Sequence, residues 1–176
     1  RRRSVLSNRP CPRRATPAAH TMSDAPHFLQ VIVVGTDGSD GARRATDWAA
    51  RLALATGARV HAVHVLTYNR ELLRDITPDT MTTWRRQLHH DLETTWVGPL
   101  DEHHVAYRSV VIEDESPAIG LLHAADREQA DLIVVGARGH RSLAGRVLGS
   151  TSYTLTHQAR RPVVVVPPTW RQPGAA

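Results

Sequence analysis

Short β-branched runs alternate along the chain with segments whose apolar residues recur every three or four positions. That alternation predicts five strands separated by helices. Val31-Ile32-Val33-Val34 reads as a buried strand running into a turn at Gly35-Thr36-Asp37-Gly38-Ser39. Ser39 or Asp40 can cap a helix whose inward stripe is Ala42, Ala45, Trp48, Ala49, Leu52 and Ala53, with Gly57 ending it. Val60 to Leu66 forms the second strand. Thr77-Pro78 has the N-cap and N1 pattern of a long helix, stopped by Gly98-Pro99, with Met81, Trp84, Leu88, Leu92 and Trp96 on one buried face. Val105 to Ile112 is the third strand. Ser116-Pro117 opens a helix through Ile119, Leu122 and Ala125, and Leu132 to Val135 is the fourth strand. Ser150 to Ala159 is the last helix, with Tyr153 and Leu155 available for packing, and prolines bracket a fifth strand between Pro162 and Pro168.

Strands alternating with helices predict an α/β fold: a doubly wound, five-stranded parallel sheet of order 3-2-1-4-5 in a three-layer α/β/α arrangement, with helices on both faces. One domain over residues 28–168 accounts for all of these elements, with residues 1–27 and 169–176 as tails. In open sheets of this kind, ligands bind at the carboxyl ends of the strands, where the strand order reverses. The loop at Gly35 to Ser39 and the loop at Gly136 to Gly149 are then expected to face each other across one crevice.

The second loop carries the chemistry. Gly136-Ala137-Arg138-Gly139 follows the fourth strand, and Gly149-Ser150 opens the last helix nine residues further on. Glycines admit a phosphate close to the backbone, and helix-start N–H groups with the positive dipole end point at it. Arg138, Arg141 and Arg146 lie in this loop and could pair with phosphate oxygens, Arg138 foremost because it sits between two glycines. Asp37, ending the first strand, is either a turn residue or a ligand for Mg²⁺. The pairs His89-His90 and His103-His104 invite a metal reading, but adjacent helical residues diverge by about 100° and do not converge on one ion.

Composition narrows the picture. The net charge is +5, but six arginines and no acid lie in residues 1–21, so the remainder from Met22 onward carries −1. The basic character therefore belongs to a tail that also holds Cys11 and is expected to be disordered. Met22-Ser23-Asp24 reads like an ordinary start, so the tail is taken as an extended reading frame, with a transit peptide or a nucleic-acid arm as the sharper alternatives. All 22 basic residues are arginine. A chain without lysine cannot supply the Walker A lysine, the kinase phosphate contact or a Schiff base. Gly-Thr-Asp-Gly-Ser after the first strand is also not the dinucleotide pattern G-x-G-x-x-G. No apolar run is long enough to span a membrane, and a cysteine-free body points to a cytoplasmic protein.

The spacing Gly136-x2-Gly139-x9-Gly149-Ser150 resembles the nucleotide motif of the ATP-binding universal stress proteins. Val33-Val34-Gly35-Thr36-Asp37-Gly38-Ser39, Ala62-Val63-His64-Val65 and Arg161-Pro162 to Pro167 agree with it. The resemblance implies ATP or AMP in the switch-point crevice, with Mg²⁺, in a homodimer joined through the last strand, Val163 to Val166. It implies Thr36 and Asp37 near the ribose and a divalent ion, and Val60 at the adenine. Gly136, Arg138 and Gly139 would line ribose and phosphates, while Gly149, Ser150 and Ser152 hold the phosphates. The acidic stretch Glu113-Asp114-Glu115 departs from the glycine that many members carry before the third helix. A regulatory module with at most slow hydrolysis is expected, the alternative being a true nucleotide-hydrolysing or adenylyl-transferring enzyme. Neither a membrane nor nucleic acid is expected as a partner.

Overall fold

A run that is β-branched at every position can serve both faces of a strand covered on both sides, and this requirement organises the molecule. The computed structural model describes residues 5–6, 28–67, 77–139 and 148–171. In chain order the strands are β1 (Val5–Leu6), β2 (Val31–Gly35), β3 (Arg59–Leu66), β4 (Tyr107–Glu113), β5 (Leu132–Gly136) and β6 (Val163–Val166). Between them run the helices α1 (Asp40–Thr56), α2 (Pro78–Asp91), α3 (Gly98–Glu102), α4 (Pro117–Arg127) and α5 (Ser150–Gln158). The sheet order is β1-β4-β3-β2-β5-β6, parallel from β4 to β6. Counted among the five parallel strands this is 3-2-1-4-5, as expected.

The dipeptide β1 adds a sixth, antiparallel strand, with Val5 opposite Ile112 and Leu6 opposite Val111. It belongs to the arginine-rich segment for which no regular structure was expected. The rest of residues 1–27 lies outside the described residues, as do residues 172–176 and the loop positions His140, Arg141 and Arg146.

Alternation within the strands divides the core in two. Ile32, Val34, Val60, Ala62 and Val134 pack with Ala45, Ala49 and Ala53 of α1 and with Leu88, Leu92 and Leu100. Val33, Val63, Val65, Ile133 and Val135 pack on the other face with Leu121, Ala124 and Ala125 of α4 and Leu155 of α5. No helix among the described residues is long and apolar enough to cross a membrane.

One helix expectation needs correction. The segment after Thr77 is not one helix stopped at Gly98-Pro99: α2 passes into a π-helical turn at Leu92–Trp96, and Pro99 then helps open α3. Leu88 of α2 and Leu92 of the π-helical turn are buried, but Trp84 is 48% exposed. On α4 the buried set is Ala118, Gly120, Leu121, Ala124 and Ala125, with Ile119 and Leu122 half-buried. Small residues, not bulky ones, set that face: a Cβ at Gly120 would lie 2.5 Å from Val65 Cγ1, so α4 lies close on the sheet. On α5, Leu155 is fully buried while Tyr153 is 57% exposed and packs on His157.

Candidate functional site

The carboxyl ends of β2, β3 and β5 open into a crevice of about 400 Å³, a size typical of small-molecule sites. Because β2 lies between β3 and β5, the loop after β2 borders the middle of the crevice. The glycine loop with the start of α5 borders one side, and Val65, Leu66, Thr67 and Trp84 border the other.

The first wall is bound up in its own contacts. Asp37 Oδ1 accepts from the Ser39 N–H at 3.0 Å and from the Ser39 hydroxyl at 2.6 Å. Ser39 Oγ in turn accepts from Ala42 N at 3.2 Å, capping α1. Gly38 has φ +80°, and the Trp96 indole lies 2.6 Å from where its Cβ would stand. Glycine is required there twice over, for backbone and for space.

The second wall approaches the first backbone to backbone. A Cβ on Gly136 would lie 2.5 Å from the carbonyl carbon and oxygen of Gly41, and one on Gly41 would overlap the Arg138 carbonyl. A Cβ on Gly139 would overlap Asp37 Oδ2. Glycines 136 and 139 therefore let two loops about a hundred residues apart close around one space. Gly149 N donates to Ala137 O at 2.8 Å, and Gly149 is the N-cap of α5, where no side chain among the described residues accepts from the first turn. The Ser152 hydroxyl is shared between the carbonyls of Ala137 and Gly149, at 3.0 Å each. Ser152 thus ties the loop to the helix.

His64 lies beneath the first wall. Its Nδ1 donates to the Thr36 carbonyl at 2.8 Å, since a carbonyl can only accept, and Trp96 meets its ring edge-on at 5.0 Å. Burial pushes its pKa below the ordinary histidine value; the Thr36 bond and the Asp37 charge oppose that push, and His89 adds to it. Thr36 N donates to Val63 O at 2.9 Å, while its hydroxyl is buried without a hydrogen-bond partner.

Thr36, Asp37, Gly136, Arg138, Gly139, Gly149, Ser150 and Ser152 all border the crevice, and Val60 does not. Val60 is fully buried near the amino end of β3, level with Ile32 and Tyr107, and its N–H donates to Ala106 O. Val65, five residues and about 16 Å further along the strand, borders the crevice in its place. The rule that ligands sit at carboxyl ends would have selected it. His64 and Trp84 were also missed as site residues; nothing in their local pattern separates them from core or surface positions.

Asp37 could share a divalent ion only with ligands brought by a bound anion, since no group of three His, Cys, Asp or Glu among the described residues is arranged to hold one. Of the histidine pairs, His103 Nε2 is bonded to Asp47 Oδ1 at 2.9 Å, and His90 and His104 are exposed.

Comparison with known proteins agrees with this architecture. The profile of the universal stress protein family matches residues 29–167. A universal stress protein of Mycobacterium tuberculosis is 33% identical over 148 residues, covering 78% of this chain and 95% of the relative. One from Thermus aquaticus is 32% identical over 139 residues, covering 79% and 99%. The crystal structure of a universal stress protein in complex with cAMP superposes with a TM-score of 0.60 at 26% identity, covering 78% of this chain and 96% of that one.

Proposed function

We propose, for a chain that belongs to the universal stress protein family, that the crevice binds an adenine nucleotide, AMP or ATP, and that occupancy is its output. The observation that carries this reading is the start of α5: a glycine N-cap with no side-chain cap, in the same crevice as Gly136 and Gly139, the latter against Asp37. An uncapped helix start in a concave site is suited to phosphate oxygens. A related protein of the same fold was crystallised with cAMP, which supports an adenine nucleotide over other anions.

In this reading the phosphates lie against Gly139, Gly149 and the first turn of α5, with the exposed Arg138 available to pair with them. Asp37 takes the ribose side and offers one carboxylate to Mg²⁺ carried by the nucleotide, since Mg²⁺ is commonly held by one or two carboxylates together with phosphates. Among the described residues, the titratable groups bordering the crevice are Asp37, His64 and Arg138. Asp37 is engaged by Ser39 and His64 is tied to Thr36. An arrangement that grips phosphates without a poised base favours binding over turnover, so hydrolysis is slow at most. The outer strand β6 ends the sheet order and, following the family resemblance, joins two copies into a dimer whose shape responds to occupancy.

Mass spectrometry of nucleotide co-purifying with the chain, repeated for Gly139→Val, tests the reading. AMP or ATP retained by the parent and lost from the variant is the expected result. A folded parent that shows no heat of binding with either nucleotide in calorimetry would overturn it.

A further inference from the structure

We infer that Trp84 is the base-reading residue of the crevice: its indole stacks on the nucleobase, so that the site separates purines from pyrimidines by ring area. The inference rests on the nucleotide reading above and deepens it.

Trp84 stands out on its own helix. Leu88 and Leu92, one and two turns further along, are buried in the core, yet Trp84 leaves nearly half its surface in solvent at the crevice mouth. Its position is set by contacts on both sides. Thr77 Oγ1 caps the helix start by accepting from Thr80 N, and the adjacent Arg85 donates to Glu113 Oε1 at 3.1 Å, tying α2 to the end of β4. A large indole held at a mouth, and not folded onto the core it could reach, is a surface awaiting a flat partner.

The polarity of the crevice fixes which part of a ligand reaches it. Charged and hydrogen-bonding groups gather at the glycine loop, with Asp37, Arg138 and Ser150. The same crevice also has apolar lining in Val65, Leu66, Pro117 and Leu121, away from the glycine loop in sequence, with the Thr67 hydroxyl among them and Trp84 bordering it. Two backbone carbonyls at this end of β3 are already used: Val63 O accepts from Thr36 N and Leu66 O from Asp114 N. Few groups remain to read a base edge, whereas an apolar wall and an indole offer faces. Stacking of this kind tolerates differences among base edges and strengthens with ring area.

The test uses the full chain, calorimetry and tryptophan fluorescence, with ATP, CTP and inorganic tripolyphosphate as probes. In Trp84→Ala, ATP affinity is expected to fall about tenfold, the preference for ATP over CTP to shrink, and tripolyphosphate affinity to stay within about twofold. Trp84→Phe should restore most of the ATP affinity while reducing the fluorescence change on binding to what Trp96 and the other tryptophans contribute. If Trp84→Ala binds ATP as the parent does, the inference fails and the crevice reading survives. If ATP and tripolyphosphate weaken together and Phe restores neither, the indole only supports the fold, and the inference fails. A parent that binds neither ATP nor tripolyphosphate removes the nucleotide reading itself.

Discussion

Two helices begin at the same crevice with opposite arrangements. At α1, Ser39 supplies the cap, and Asp37 holds Ser39 by both its N–H and its hydroxyl. At α5, Gly149 stands at the cap with no side chain to offer, and Ser152 turns its hydroxyl back to the carbonyls of Ala137 and Gly149. Both starts carry the same backbone donors and the same dipole. The first is completed by its own loop; at the second, no such completion is found among the described residues, and in the proposed reading a phosphate supplies it. Position at the mouth of a sheet therefore does not make a helix start a binding element. What matters is whether the chain has already met the start's hydrogen-bonding needs.

The comparison can be broken most severely at Gly136. Alanine there would drive Cβ into the Gly41 backbone, which has no side-chain end to swing aside. Gly136→Ala is expected to cost about 1–3 kcal/mol, read from the guanidinium unfolding midpoint; an unchanged midpoint would mean that the two walls do not touch. At Gly139 the three atoms nearest an added Cβ all belong to the Asp37 carboxylate, a side-chain end that can give way. Gly139→Val should therefore weaken AMP or ATP binding by at least about tenfold, some 1.4 kcal/mol, while the midpoint moves little. The two serines sharpen the contrast directly. Ser39→Ala should cost about 1 kcal/mol of stability as a lost cap. Ser150→Ala, at an exposed position, should stay within about 0.5 kcal/mol yet weaken nucleotide binding in calorimetry. Equal stability losses for the pair would erase the distinction.

The smallest effect is on pH dependence. Burial holds His64 below the ordinary histidine pKa of 6.5. Below that pH the unfolded chain therefore takes up a proton that the folded chain refuses, and stability falls as pH drops toward the depressed native value. His61, also lowered chiefly by burial, acts in the same direction. In His64→Asn, which keeps a donor for the Thr36 carbonyl, the loss of stability below pH 6.5 should be shallower when midpoints are compared across pH. An identical slope would place His64 outside the linkage.

The five parallel strands were legible because valine and isoleucine concentrate in them between helix-patterned segments, and their order followed from that alternation with helices. The glycine loop was legible because close backbone approach leaves glycine as its trace. Other features left no such trace. The π-helical turn at Leu92–Trp96 has no residue pattern of its own, and Gly98-Pro99 reads equally as a stop or as the opening of α3. The periodicity that placed Trp84 inward was correct for Leu88 and Leu92, but periodicity cannot tell where along a helix the core ends and a crevice begins. Val60 was given to the adenine by resemblance, but it lies near the amino end of β3, away from the crevice that Val65 borders at the carboxyl end. On α4, bulk was a poor guide because Ala118, Gly120 and Ala124 let the helix settle closer than leucines would.

The pairing of Ile32 with Leu132 also bears on synthesis. The central strand leaves the ribosome a full hundred residues before the partner on one of its sides. At about 5–20 residues per second, that edge waits roughly 5–20 s. It belongs to Val31-Ile32-Val33-Val34, an uncharged β-branched run of the kind that recruits like strands when left open. During that interval β3 alone can occupy one side of it. The bare side then depends on chaperones or on the speed of translation, well before the crevice exists to hold anything.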